Sequence, residues 1–104
     1  MSSTRLDTLK GLAEANPSDS FVRYGLAMEY RNTGDLESAV REFRALIERD
    51  PNYAAAYFHG GQTLEKLGRD DEAATIYREG IEAAERKGDR HTRDEIQAAL
   101  DLLG

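Results

Sequence analysis

Residues 18–51 read SDSFVRYGLAMEYRNTGDLESAVREFRALIERDP, and residues 52–85 read NYAAAYFHGGQTLEKLGRDDEAATIYREGIEAAE. Laid over each other at an offset of 34, they bring Gly34 onto Gly68, Ala39 onto Ala73, Arg44 onto Arg78 and Glu48 onto Glu82. The same offset carries Glu14 and Pro17 onto Glu48 and Pro51, Tyr24 onto Phe58, Ala27 onto Gly61, and Leu9 onto Phe43 and then Tyr77. Small residues, rings and turn formers are what a repeat must keep if each unit is to pack as the last one does. The chain is therefore read first as an internal repeat.

Each unit reads as a pair of helices. After Pro17, the side-chain oxygens of Ser18, Asp19 and Ser20 suit a helix N-cap. Val22, Leu26 and Tyr30, with Phe21, Tyr24 and Met28, recur at helical spacing on adjoining faces. Thr33-Gly34-Asp35 then gives a stop and a restart, a left-handed glycine followed by a capping Asp. Ala39, Val40, Phe43, Leu46 and Ile47 form one apolar stripe, which Asp50-Pro51-Asn52 ends. The second unit predicts a helix from Tyr53 to Leu67, a Gly68-Arg69-Asp70 turn, and a helix from Asp71. No proline follows Ala84, so that helix runs on to Arg86 or Lys87 before Gly88-Asp89 breaks it.

The flanks complete the pattern. Leu6, Leu9, Leu12 and Ala13 predict a helix over 3–15 that ends at Asn16-Pro17, as the later second helices end at a proline turn. Ile96, Ala99, Leu100 and Leu103 stand at i, i+3, i+4 and i+7 on a last helix over 91–103. The expectation is an all-α chain of about six antiparallel helices, one domain over 1–104. Within it, 3–15 is an N-terminal packing helix, 20–53 and 54–87 are full repeats, and 91–103 is a C-terminal capping helix.

Composition agrees and narrows the function. Val and Ile together number six against 14 Ala and 11 Leu, which favours helix over strand. Lys and Arg total 14 against 20 Asp and Glu, and a net charge of −6 opposes a phosphate backbone, so no nucleic-acid partner is expected. No apolar run approaches the ~18 residues that cross a bilayer, so no membrane partner is expected. Met1-Ser2-Ser3-Thr4-Arg5 opens without an apolar leader, which makes the cytoplasm the expected location. The absence of cysteine excludes disulfides and thiolate chemistry.

Catalytic constellations are missing too. His59 and His91 lack H-E-x-x-H spacing, and no phosphate-binding loop is present. Asp70-Asp71-Glu72 opens a helix, where carboxylates suit the dipole. Gly60-Gly61 lies inside a helix and reads as room for close helix contact. Arg41, Arg44 and Arg49 interleave with Glu37, Glu42 and Glu48 as a solvated, ion-paired face. The chain is therefore expected to be no enzyme, with no catalytic residue, metal or cofactor.

Leu26-Ala27-x₂-Tyr30, Ala39-x₃-Phe43 and Pro51 in the first unit, with Tyr57-x₂-Gly60-Gly61-x₂-Leu64 and Ala73-x₃-Tyr77 in the second, resemble the tetratricopeptide repeat (TPR), a helix–turn–helix unit of ~34 residues. Within that family the chain resembles small bacterial-type members. Two positions depart from it: Arg23 stands where an aromatic belongs, and Glu85 where the second unit would have its proline. The resemblance implies an α-α superhelix in which Ala27, Gly61, Ala39 and Ala73 allow helices to cross closely, while Tyr30, Phe43 and Tyr77 fill gaps between units.

It also implies that first helices line an inner face where peptides bind. By position that face carries Phe21, Tyr24, Met28, Arg31 and Asn32 from the first unit, and Ala55, Phe58, His59, Gln62, Glu65 and Lys66 from the second. Tyr24, Met28 and His59 replace the Lys and Asn of the family's carboxylate clamp, so a chaperone-tail adaptor is not expected. The candidate binding residues are Phe21, Tyr24, Met28, Arg31, Phe58, His59 and Gln62, and a protein or peptide is the expected partner. The same rings would also suit packing against neighbouring helices, the terminal one included. A homodimer and an accessory domain of a larger assembly are the alternatives.

Overall fold

The computed structural model describes residues 4–104, which form six α-helices: α1 (Thr4–Ala15), α2 (Ser20–Asn32), α3 (Leu36–Arg49), α4 (Ala54–Lys66), α5 (Asp70–Lys87) and α6 (Arg90–Leu103). Of the helix expected over 3–15, Ser3 lies outside the described residues. The last helix opens one residue earlier than expected, at Arg90, because Asp89 is its cap and accepts from the Thr92 amide at 3.1 Å. Asp19 and Asp35 cap α2 and α3 in the same way, through Val22 and Ser38. The Ser38 hydroxyl and amide hold the Asp35 carboxyl below its ordinary pKa. Asp70 departs from its expected place in the turn and lies inside α5, with Arg69 at the cap position making no side-chain bond.

One turn closes three helices. Gly34, Gly68 and Gly88 all have φ between 73° and 91°, and after each the next amide reaches back to Tyr30, Leu64 or Ala84 at 2.9 Å. The first two of these turns lie within hairpins. The third takes the place of a proline turn between hairpins, and α5, at 18 residues, runs a full turn longer than the 14 of α3.

Every helix packs on its successor. Beyond that, among the described residues, only α2 with α4 and α4 with α6 make contact. Helices α2, α4 and α6 therefore form one layer and α1, α3 and α5 the other. The even layer is the inner side of the curve, since only there do next-but-one helices touch. The whole measures 41 × 28 × 19 Å.

Two apolar clusters hold the layers together. Ala27, Ala39, Phe43, Leu46 and Ala56 form the first. Val40, Tyr57, Leu64, Ala73, Ile76, Tyr77, Ala83 and Ile96 form the second. A Cβ at Gly61 would stand 2.2 Å from the Tyr77 ring, and one at Gly60 would stand 3.3 Å from the Phe43 Cβ. Gly60-Gly61 thus opens room on α4 for one ring from each neighbouring outer helix. Phe43 bridges units as expected, whereas Tyr77 fills the crossing of its own hairpin. Tyr30 faces α1, with the Lys10 ammonium 5.8 Å from its ring centre.

Of the interleaved charges of α3, Glu37, Glu42 and Arg44 pair, each with a residue outside the helix, while Arg41 donates to Ser38 on its own helix. Arg44 reaches Glu72 at 2.8 Å, Arg69 reaches Glu37 at 2.6 Å, and Arg23 reaches Glu42 at 2.5 Å. Among the described residues, no helix is long and apolar enough to cross a membrane.

Candidate functional site

Helices α2 and α4 lie side by side in the inner layer, and their side chains meet there as a row of rings. The Tyr24 ring lies 5.4 Å from Tyr53, 5.8 Å from His59 and 6.3 Å from Phe43, and Phe58 lies edge-on to His59 at 5.2 Å. Tyr24 and Met28 are half-buried against the first cluster. Phe58 is half-buried against the second, which α6 completes with Ile96, Ala99, Leu100 and Leu103. Phe21 stands apart from the row and is 75% exposed.

At the far end of the row the face turns polar. Arg31 Nη1 lies 3.0 Å from His59 Nδ1. A guanidinium can only donate, so Nδ1 accepts and the ring carries its proton on Nε2. Burial and then the Arg31 charge push the His59 pKa below 6.5, while Gln62 and Glu95 pull against that shift. The ring is therefore neutral at pH 7. Beyond it a groove of about 310 Å³ runs between Arg31, Gln62, Glu65, Lys66 and Leu102. Glu65 is engaged there by the Tyr77 hydroxyl, whose pKa burial and that bond drive well above the phenol range. Among the described residues, Arg31 has no carboxylate within ion-pair distance.

Of the expected residues, Tyr24, Met28, Arg31, Phe58, His59 and Gln62 come together on this face, with Ala55, Glu65 and Lys66 on the same helix as the last three. Asn32 and Lys66 are exposed at the helix ends. The reading by helical period missed Tyr53, which enters the row from the proline turn just before α4. The terminal helix, already weighed as a packing partner of these rings, also brings Leu102, 89% exposed, to the border of the groove. His91 plays no part, standing exposed with Glu95 at 3.8 Å.

The Arg31–His59 pair carries a pH dependence of known sign. The unfolded imidazole takes a proton near pH 6.5, and the folded one resists until a lower pH. Stability is full above 6.5 and falls as the pH drops from there through the lowered folded pKa. His59→Gln is expected to remove that part of the slope in denaturant titrations between pH 7 and pH 5. Arg31→Ala is expected to raise the His59 pKa read by NMR, and an unmoved pKa would show that the guanidinium does not act on the ring.

Comparison with known proteins agrees with this architecture. A sequence model of the tetratricopeptide repeat matches residues 24–88. The chain is 24% identical to the TPR repeat-containing protein PA0015 of Pseudomonas aeruginosa, over 94% of its own length and 93% of that protein. Among solved structures it is similar to a tetratricopeptide repeat domain protein from Salinibacter ruber, with 36% identity and a TM-score of 0.77, covering 82% of this chain and 94% of that one. It is also similar to YrrB, described as a TPR protein with an unusual peptide-binding site, with 25% identity and a TM-score of 0.77, covering 89% of this chain and 46% of that one. With most of its length matched and its hairpins stacked at the repeat spacing, the chain belongs to the tetratricopeptide repeat family.

Proposed function

We propose that this protein is a non-catalytic scaffold that binds a peptide or a segment of a partner protein on the inner face built by α2, α4 and α6. Tyr24, Met28 and Phe58 supply the apolar floor, Arg31, His59 and Gln62 the polar contacts, and Phe21 the rim. The observation that carries this reading is Arg31. It is a partly buried cation beside half-buried rings, and among the described residues its one hydrogen bond goes to a neutral imidazole. The other guanidinium donors stay free for the carbonyl or carboxylate oxygens of an extended chain. Aromatic side chains, Met and Arg are also the types enriched at interface cores. The peptide-binding site named for YrrB, a structural relative, supports the same choice of ligand. A second copy docking on this face is the other reading, favoured by the bare Leu102 at its edge.

The test begins with a random peptide-display library selected on the wild-type protein. Arg31→Ala is expected to weaken the selected peptides by about tenfold, the scale of an interface hot spot, in titration calorimetry. Tyr24→Ala combined with Phe58→Ala is expected to abolish capture while the far-UV circular dichroism stays helical. Wild-type affinity in the double variant rejects the proposal. Light scattering across concentration decides the dimer, which a constant monomer mass rejects.

A further inference from the structure

The inner face is apolar on both sides of one cation. Arg31 bonds to His59, where the row of rings ends, and it also lines the groove beyond. Ala99 and Leu102 of α6 give that groove its apolar wall. Its charged lining is Arg31 and Lys66 against Glu65, an excess of one positive charge in a chain whose net charge is −6. Glu65 already accepts from the Tyr77 hydroxyl and forms no ion pair with Arg31.

The imidazole beside Arg31 is a group that titrates near neutrality. Among the described residues it is faced by Arg31 and the Tyr24 ring from α2, by Gln62 on its own helix, and by Glu95 from α6. While the ring is neutral, Nδ1 accepts from the guanidinium. Once it is protonated both ring nitrogens donate, so that bond is lost and two cations stand side by side. Gln62 and Glu95 favour the charged ring, and Arg31 opposes it. A negative group held by Arg31 removes that opposition.

We infer that the segment bound here carries an acidic side chain, Glu or Asp, between apolar neighbours, and that His59 takes up a proton as it binds. The ligand is the one proposed above, and the inference rests on that reading. The carboxylate pairs with the Arg31 donors that His59 leaves free. One apolar neighbour lies on the rings, the other on Ala99 and Leu102. Apolar surface on both sides of Arg31 selects a residue inside a segment over a terminal carboxylate, which would leave one side bare. A phosphate group, with about two negative charges, exceeds the groove's excess and meets Glu65. The bound carboxylate neutralises Arg31 and draws it off Nδ1, which opens that nitrogen to a proton. The free protein's His59 resists protonation until below pH 6.5, and the bound one takes its proton at a higher pH. Affinity therefore rises as the pH falls through that interval. Reciprocally, the segment raises the His59 pKa.

The probe is acetyl-Leu-Glu-Leu-amide, titrated into the wild-type chain at pH 7.5 and pH 5.5 and followed by NMR at the His59 ring and the Arg31 side chain. Its carboxyl is ionised at both pH values. Binding is expected to be severalfold tighter at pH 5.5, within the limit of about tenfold per pH unit that one proton sets. The His59 pKa is expected to rise as the probe saturates. Acetyl-Leu-Gln-Leu-amide, and the same peptide with a free C-terminus, are both expected to bind more weakly than the Glu probe. His59→Gln keeps an acceptor for Arg31 but takes no proton, so it is expected to bind the Glu probe without the pH dependence. Arg31→Gln can still donate to Nδ1, and it is expected to lose the preference for Glu over Gln. If either variant fails to fold, the three probes and the His59 pKa of the wild type decide. Equal binding of the Glu and Gln probes, tighter binding of the free C-terminus, an unmoved pKa, or a pH dependence that survives His59→Gln would each overturn the inference. A Glu probe that does not bind overturns it alone where library peptides still bind this face, and overturns both readings where they do not.

Discussion

Truncating Ile96 to alanine is expected to cost about 2–5 kcal/mol, a large share of the ~5–15 kcal/mol that holds a domain of this size together. Ile96 is the one wholly buried side chain of α6. Ala99, Leu100 and Leu103 are half-buried beside it, and Leu102 points into water. The helix is thus anchored at a single deep point, against Gly80 of α5 and the cluster that includes Tyr57 and Leu64 of α4. The melting midpoint should fall by about 4–8 °C for each kcal/mol lost. Hydrogen exchange should show the amides of α6 losing protection before those of α2 and α3. An unchanged midpoint would mean that α6 is not an integral part of the fold.

Gly80→Ala tests packing against propensity, because the two predict opposite signs. Helix propensity alone makes alanine better than glycine by about 1 kcal/mol in a helix interior. At Gly80, though, the new Cβ would stand 2.5 Å from the Cβ of Tyr57 and 3.1 Å from Cδ1 of Ile96. Tyr57 cannot retreat easily, since its hydroxyl is tied to the Pro51 carbonyl. Overpacking of this kind costs about 1–3 kcal/mol, occasionally more, and the net change is expected to be destabilising. Gly11→Ala is the matched control: its Cβ would meet nothing within 4 Å on the exposed face of α1, so it should stabilise by about 0.5–1 kcal/mol. Thermal melts that move in the same direction for both would contradict the packing described for α5.

The helices and their turns were legible because their signals are local. Gly34 and Gly68 sit where the left-handed turn needs them, and the prolines close the intervening loops. Gly80 gave no warning. Its repeat counterpart is Leu46, so the offset that exposed Gly61 beside Ala27 had no small partner to compare. The charges of α3 were legible as a paired face but not as pairs, since Arg44 and Glu37 find their partners on α5 and in the turn before it. On the inner face, the positions carried over from the repeat resemblance, Tyr24, Met28, Arg31, Phe58, His59 and Gln62, lie close together in the structure. They did not include Tyr53, expected as the first residue of the helix and found at its cap, nor the tautomer of His59, which depends on a guanidinium 28 residues away. Arg23 was visible as a departure from the repeat.

The contact pattern of the layers has a mechanical consequence. With next-but-one contacts in the even layer alone among the described residues, the molecule is expected to flex as a leaf spring whose stiff side is its concave side. Flattening the curve separates α2 from α4 and stretches the Arg31–His59 bond, whereas the outer helices have no comparable tie to resist being drawn together. The His59 imidazole, bonded across that seam, is expected to shift its NMR signal when the bend tightens or relaxes.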